Sequence, residues 1–401
     1  MSQHPNRRGF LKTAGAMTLP LLTSTAAVGQ GGRPPASERI VMATIGTGGQ
    51  GTGDMSGFMG FSEVQMVAVC DPVPEHRERA QQKVNEKYGN KDCKAYSDFR
   101  EVLARPDIDA VLIGTPDHWH AIMTIEACKA GKDVYCEKPE SLTLREGRAM
   151  VEAVRRYGRV FSGGSQRVLG DYGDWPRQIW GGALGTVKEV FVDCGGPSGD
   201  CYLPEQPIPA GLDWDMWLGP APYRPYHISL TKGGFRPFRD YSGGGMTDWG
   251  AHRFGAAMFA TGQHLTGPTD IIVPDGKDVK YLTYKFANGM QMYHGGTKNI
   301  TYKGTDGELP GKVGTAKPSN MPAYKGKGGI FGDFLHCVKT REQPFRNVEV
   351  AHRACSVCHL GNIAYWLKRS LKWDPVKEEV VGDAEANRWL DRPKREPWAL
   401  A

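Results

Sequence analysis

The sequence predicts an α/β domain built on a parallel sheet, followed by a second domain of the α+β class. Three observations carry this expectation. Between Arg39 and residue 160, short apolar runs alternate with helix-forming stretches; within one sheet that order requires right-handed crossovers and parallel strands. The first apolar run ends in the glycine cluster Gly46-Thr-Gly48-Gly-Gln-Gly51, and the second ends in Asp71. Beyond residue 160 the pattern turns to alternating strands, with a hairpin turn at Ala287-Asn288-Gly289.

The first domain is expected at residues 39–160. RIVMATIG supplies its opening strand and GFSEVQMVAVCD its second. Pro74–Tyr88 is polar and rich in helix formers. Asp109–Thr115 is a short apolar run, as a strand buried on both faces requires. Ala121–Lys129 reads as a helix stopped by Gly131, and Asp133–Cys136 as the next strand. Thr143 and Glu146 form a capping box that opens a helix with Met150, Val151 and Val154 on one face, ended by Gly158.

The glycines sit where a dinucleotide would need them. Gly46 makes the tight turn, Gly48 lets a pyrophosphate approach the backbone, and Gly51 packs helix on strand. The helix that follows offers free N–H groups at its N-terminus. Asp71, 20 residues after Gly51, is placed to accept hydrogen bonds from ribose hydroxyls and to repel a 2′-phosphate. Pro72 and Val73 follow it, not Arg. The first domain therefore reads as a Rossmann domain for NAD in preference to NADP.

Charge excludes one class of partner. The formal net charge is +6, and it falls to +3 without Arg7, Arg8 and Lys12. Lys and Arg interleave with Asp and Glu, so no basic patch for nucleic acid is expected. Residues 1–30 read as a signal peptide: a basic start, a short apolar middle and a small-residue end. Arg7-Arg8-Gly-Phe-Leu-Lys12 is similar to a twin-arginine signal, which implies the twin-arginine export machinery and a periplasmic or cell-envelope location. Residues 31–38 are the linker. Among nine cysteines, Cys194 and Cys201 flank GGPSGD as the best candidates for a bridge. Cys355-Ser-Val-Cys358-His359 matches a haem-attachment pattern, but Val357, Leu360, Ile363 and Leu367 around it follow helical spacing, so buried helix thiols are the expectation. His118 and His120 have no acid at ligand spacing, and no metal is expected.

Three further motifs complete an ordered set. Thr115-Pro116-Asp117-His118-Trp119-His120 closes the fourth strand, Glu137-Lys138-Pro139 closes the fifth, and Gly243-Gly-Gly-Met-Thr-Asp248-Trp-Gly-Ala-His252 follows about a hundred residues on. With the glycine fingerprint, this order resembles the Gfo/Idh/MocA oxidoreductase family over residues 39–370. The resemblance implies a Rossmann domain followed by a largely antiparallel open sheet in residues 161–372, carrying the substrate side and a homo-oligomer interface. Thr186–Asp193, Tyr281–Phe286 and Met290–His294 read as strands of such a sheet. Thr297–Gly329, rich in Gly and Lys, reads as loop, and 373–401 as an extended arm.

Hydride transfer from a sugar C–H needs a base for the hydroxyl proton and a group to steady the alkoxide. Lys138 ends a strand at the carboxyl edge of the parallel sheet, where ligands bind in such folds. Asp248 and His252 are four apart, which on a helix puts them on one face. The resemblance implies that Lys138 contacts substrate, Asp248 holds a hydroxyl and His252 is the acid/base. It sets Thr115, Pro116, His120 and Glu137 on the cofactor side with Gly46, Gly48, Gly51 and Asp71. Trp119, Gln166 and Arg167 are candidate sugar contacts. The family often has Asn where Asp117 stands.

An exported member finds little free nicotinamide, so a tightly held cofactor regenerated within the cycle is expected. The expected function is NAD-dependent oxidation of a sugar or glycoside hydroxyl. The alternatives are a glycosidase or lyase acting through a transient 3-keto sugar, and a non-catalytic carbohydrate-binding protein on the same fold.

Overall fold

A computed structural model describes residues 34–170, 172 and 174–400. The signal expected at 1–30 lies outside the described residues, and so does the start of the linker.

The first domain is a six-stranded parallel sheet in the order β3-β2-β1-β4-β5-β6. Its strands are β1 (Ile40–Ile45), β2 (Val64–Cys70), β3 (Lys94–Tyr96), β4 (Ala110–Ile113), β5 (Asp133–Cys136) and β6 (Phe161–Gly163). Every residue of β4 and β5 is buried, as expected of a sheet covered on both faces. The strand order reverses between β1 and β4, which opens a crevice at their carboxyl ends. β6 carries the sheet three residues past the boundary expected at 160. Like β3, it is too short to leave a periodic signal.

Helices α1 (Gly49–Phe58), α2 (Pro74–Tyr88), α3 (Phe99–Leu103), α4 (Asp117–Lys129) and α5 (Leu144–Arg156) join the strands. α5 opens on the Thr143–Glu146 capping box.

The second domain centres on an eight-stranded sheet, β12-β11-β7-β10-β9-β8-β13-β14. Neighbours run antiparallel except β7 (Val187–Val192) with β10 (Gln291–His294). The others are β8 (Asp270–Ile272), β9 (Leu282–Lys285), β11 (Ile300–Gly304), β12 (Gly307–Leu309), β13 (Leu371–Asp374) and β14 (Glu379–Val380). β11 and β12 fall inside the stretch expected to be loop.

Six helices complete this half: α6 (Trp175–Trp180), α7 (Trp214–Leu218), α8 (Gly245–Asp248), α9 (Gly250–Ala260), α10 (Gly329–Thr340) and α11 (Val348–Leu367), with a short α12 (Ala384–Arg388) near the C-terminus. α9 and α11 share a core with the sheet through Phe254, Tyr284, Leu360 and Ile363. α10 returns to the first domain, where Phe334 meets Phe58 and Tyr135.

The boundary expected at 372 and the arm beyond it are corrected. Residues 373–401 are not an extended arm: they begin inside β13, add β14 and α12, and end with Trp398 against Trp119 and Phe99 of the first domain. Cys194 and Cys201 are both free thiols; Cys194 is buried with its Sγ 3.9 Å from the Met246 sulfur. Residue 372 falls within β13, so it does not end the second domain. Cys355 and Cys358 lie buried in α11, and the His359 ring is bonded to the Ser141 carbonyl at 3.0 Å.

A charge network ties α5 to α11 and to the β13–β14 turn. Arg148 grips Glu349 through two 3.0 Å bonds and Glu378 through bonds of 2.9 and 2.6 Å. Burial opposes the Glu349 charge, but Arg148 and Arg353 hold its carboxyl down to about 2 from an ordinary 4.5. A depressed folded-state value stabilises above the unfolded value and loses that contribution as pH falls through the folded one. Thermal midpoints should therefore hold above about pH 4.5 and fall from there towards about 2. Glu349→Gln should flatten part of that slope, and an unchanged slope would count against the network.

Candidate active site

One cavity of about 660 Å³ runs from the end of β2 across the end of β1 and β4 to the end of β5. Gly46, Gly48, Gly49 and Asp71 line one part, and Thr115, Pro116, Glu137, Lys138 and Asp248 line another. The size suits an extended organic ligand.

The glycine turn is shaped by close approach. A Cβ on Gly51 would lie 2.0 Å from the Gly46 carbonyl oxygen, so only glycine lets α1 meet the strand end. A Cβ on Gly48 or Gly49 would meet nothing of the protein. That open cradle lies at the α1 N-terminus, where Gly48 contributes no side-chain cap. The first-turn amides are thus left for a phosphate, and the site fits a dinucleotide. Asp71 is fixed at the neighbouring strand end: its carboxylate accepts from the Thr47 amide at 2.7 Å and the Val73 amide at 3.0 Å. His76 and Arg79 of α2 line the same part of the cavity.

At the other part, Lys138 Nζ donates to Asp248 Oδ1 at 2.5 Å and to the Asp248 carbonyl at 3.1 Å. Arg236 Nε stands 3.4 Å from the same carboxylate oxygen. Burial opposes the Asp248 charge, but Lys138 and Arg236 hold its carboxyl below the ordinary range. The pair is a charge-assisted bond in a partly dry cleft, with the ammonium's third N–H left for a further oxygen.

His252 does not join them in the cavity wall. Trp249 joins α8 to α9 with helical dihedrals (φ −89°, ψ −27°), yet the two side chains take different partners. Asp248 turns to Lys138, while His252 Nδ1 hydrogen-bonds Ser165 Oγ at 2.7 Å. Burial, then the charges of Lys138, Arg346, Arg167 and Arg253, push the imidazole down to about 2, so it is neutral.

Other expected contacts divide. His120 is buried, its ring nitrogens on the carbonyls of Pro139 and Thr115 at 2.7 and 2.9 Å. It ties the two strand-end motifs together and does not line the cavity. Trp119 lines the cavity but is 2 % exposed, and its indole N–H is spent on the Met216 and Trp217 carbonyls. It is a wall, not a platform for a sugar. Gln166 and Arg167 do not line the cavity either. Gln166 Nε2 donates to Glu137 at 2.8 Å and to Asp54 at 3.2 Å, and Arg167 lies 5.0 Å over the Trp249 ring.

Sequence reading missed several groups. Asp54, on α1, forms a buried acid pair with Glu137. Burial raises both carboxyls, Asp54 to about 6, and the Asp54 charge raises Glu137 too, so the two are not both ionised at once. Asp117 and Arg236 line the cavity, and Trp249 is 40 % exposed beside Asp248. An acid three residues past the fingerprint was the one signal for Asp54; Arg236 sits in no motif.

Residues 211–241 form a cap over the cavity. Its core stacks Trp214 on Trp217 at 4.8 Å and packs Tyr226 and Tyr241 around them. Aromatics that could have faced a sugar thus fill this core. The Asp213 amide donates to the Pro72 carbonyl at 3.3 Å, and Asp215 pairs with Arg395 at 2.5 Å. The cap lends Trp217, Leu230, Thr231, Lys232, Phe235 and Arg236 to the cavity wall. Among the described residues no group of three or more His, Cys, Asp or Glu is placed to hold a metal, and no helix is long and apolar enough to cross a membrane.

Comparison with known proteins adds to this geometry. Residues 40–165 match the family described as an oxidoreductase family, NAD-binding Rossmann fold, and residues 196–400 match its C-terminal alpha/beta domain. A glycosyl hydrolase family 109 protein of Shewanella baltica is 31% identical over 171 residues, which is 38% of this chain and 37% of that protein. The match thus spans little more than a third of that relative. Among solved structures, an aldose-aldose oxidoreductase from Caulobacter crescentus is 21% identical with a TM-score of 0.59, covering 83% of this chain and 99% of that one. A myo-inositol 2-dehydrogenase from Lactobacillus plantarum is 18% identical with a TM-score of 0.57, covering 83% and 99%. At these identities the structures speak for the fold.

Proposed function

The chain belongs to the Gfo/Idh/MocA oxidoreductase family, and from that premise we propose that it oxidises a sugar or glycoside hydroxyl with an NAD it retains through the cycle. One observation carries the reading: a single cavity joins the glycine cradle and Asp71 to the Lys138–Asp248 pair. A dinucleotide laid from Asp71 over the cradle would bring its far end to that pair. When bound, NAD supplies the hydride acceptor. Asp248 orients the reacting hydroxyl, and Lys138 steadies the charge that develops on its oxygen. The hydroxyl proton leaves through Asp248 to the solvent of the cleft, because His252 lies outside the cavity wall with its Nδ1 on Ser165 Oγ.

Retention is supported by residues 211–241, which add Trp217, Leu230, Phe235 and Arg236 to the cavity wall and so enlarge the surface a dinucleotide would meet. Asp71 supports NAD over NADP, although His76 and Arg79 stand beside it. The purified protein is expected to carry about one equivalent of NAD, readable by mass spectrometry and absorbance after denaturation. Protein that is empty, and binds no dinucleotide on addition, would sink the reading. NADP found in place of NAD would overturn the cofactor choice alone.

Relatives named as glycosyl hydrolases favour a second reading for the same site. There the oxidation at C3 is transient, the aglycone leaves, and the hydride returns. Release of an alcohol without net reduction of cofactor separates this from plain oxidation, and the Lys138–Asp248 pair in the cavity disfavours a binding protein. Twin-arginine export to the periplasm or envelope is part of the proposal; it rests on Arg7-Arg8 and the small-residue stretch after them. Self-association through the second sheet completes it. Phe191 stacked on Tyr293 at 4.7 Å, both only half-buried, supports that face, and light scattering of the purified protein tests it.

A further inference from the structure

We propose that Asp117 is the acid that protonates the departing oxygen when this site cleaves a glycoside. The inference rests on the glycoside reading above and assigns a residue to the step that distinguishes cleavage from plain oxidation.

Hydride transfer needs one proton acceptor. Cleavage through a 3-keto sugar needs two further groups, because a C2–H bond and a C1–O bond must both break. Once the C3 hydroxyl has been oxidised by the dinucleotide the first domain would hold, its proton lost to solvent, the ketone acidifies C2. Asp248 takes the C2 proton, and that electron pair forms the C1=C2 double bond. The C1–O bond breaks with its electrons on the aglycone oxygen, which takes the Asp117 proton. Water then adds: its hydroxyl goes to C1, its proton to Asp117, and C2 recovers its proton from Asp248. Reduction of the C3 ketone by the same dinucleotide, with one proton taken back from solvent, would restore every group.

Asp117 has the attributes this step requires. It opens α4 at the end of β4 and lines the cavity that holds Lys138 and Asp248. Its side chain is 5 % exposed, and its Oδ2 has no hydrogen-bond partner. A carboxylate left this way would be costly to bury, whereas a carboxylic acid would not. Burial, reinforced by the Asp248 charge and opposed by Ser242, Arg236 and Lys138, raises it to about 7. It can therefore hold a proton near neutrality and still release it. The neighbouring acids are engaged elsewhere, Asp248 by Lys138 and Glu137 by Gln166. Asn, frequent at this place in the resembling family, could donate a hydrogen bond but not give up a proton.

The test compares Asp117→Asn with the natural chain on methyl and 4-nitrophenyl glycosides of the common hexoses. Methoxide leaves poorly without an acid, while 4-nitrophenoxide needs little help. Aglycone release is expected to fall at least about 100-fold for the methyl glycosides and less than about tenfold for the 4-nitrophenyl ones. Retained cofactor and an unchanged circular dichroism spectrum would accompany this. Equal losses for both leaving groups, or no loss, overturn the assignment of Asp117. If the natural chain cleaves neither kind while it oxidises free sugars, the glycoside reading falls and the assignment falls with it.

Discussion

Lys138→Ala is expected to lower kcat/KM by about 10³-fold while the fold and bound cofactor survive. The size follows from what the ammonium does. It is the strand-end cation of the cavity that touches Asp248, at 2.5 Å, and both its bonds go to that residue. Loss of one charge stabiliser in a water-poor site costs roughly 10²–10³ in turnover, and misplacing the paired carboxylate adds to that. Arg236, 3.4 Å from Asp248, would remain to hold the carboxylate but not the reacting oxygen. Asp248→Asn should cost nearly as much, and the double variant little more than either, because groups that act as a unit are not additive. Steady-state kinetics on the best sugar substrate would read this. Activity within about tenfold of the natural chain, or 1.4 kcal/mol of barrier, would remove Lys138 from the chemistry.

The parts of this site that were legible share a cause. The glycine turn, Asp71 and Lys138 sit at strand ends, where a buried apolar run stops and its last residues must face the crevice. That placement follows from local sequence alone. The separate partners of Asp248 and His252 were not legible, because four-residue spacing gives a shared helix face but not what each side chain meets. Both partners, Lys138 and Ser165, lie far away in sequence. His120 and Trp119 were assigned by motif to ligands. The fold instead turns their polar atoms to backbone: the single N–H of a neutral His120 donates to the Pro139 or the Thr115 carbonyl, and the Trp119 N–H is shared by those of Met216 and Trp217. Burying those carbonyls unpaired would cost more than a ligand contact would return. Asp54 and Gln166 come together with Glu137 across 112 residues of chain, a proximity no local pattern encodes.

Beneath the catalytic turn lies the contact with the largest expected effect on stability. Arg346 and Glu140 form an ion pair with bonds of 2.7 and 3.2 Å, and their side chains are 1% and 2% exposed. Arg346 Nη2 also reaches the carbonyl of Ala251, the residue before His252, at 3.4 Å. Glu140 follows Pro139 directly, so the pair pins the Lys138 turn to α9. Room for it comes from Gly163, where a Cβ would lie 2.1 Å from Glu140 Oε1. Arg346→Met should therefore destabilise the protein by about 3–5 kcal/mol, because it leaves a buried carboxylate with only the Cys355 thiol, 3.1 Å away, among its present side-chain partners. Glu140→Leu combined with Arg346→Met removes both charges and should recover most of that loss. A native stability of 5–15 kcal/mol makes the single variant marginal, so urea unfolding at low temperature is the measurement. Because the pair also positions Lys138, the double variant should regain stability without regaining full turnover. A loss below about 1 kcal/mol for Arg346→Met would mean that the carboxyl has picked up a proton or water and that the pair is not what holds the turn.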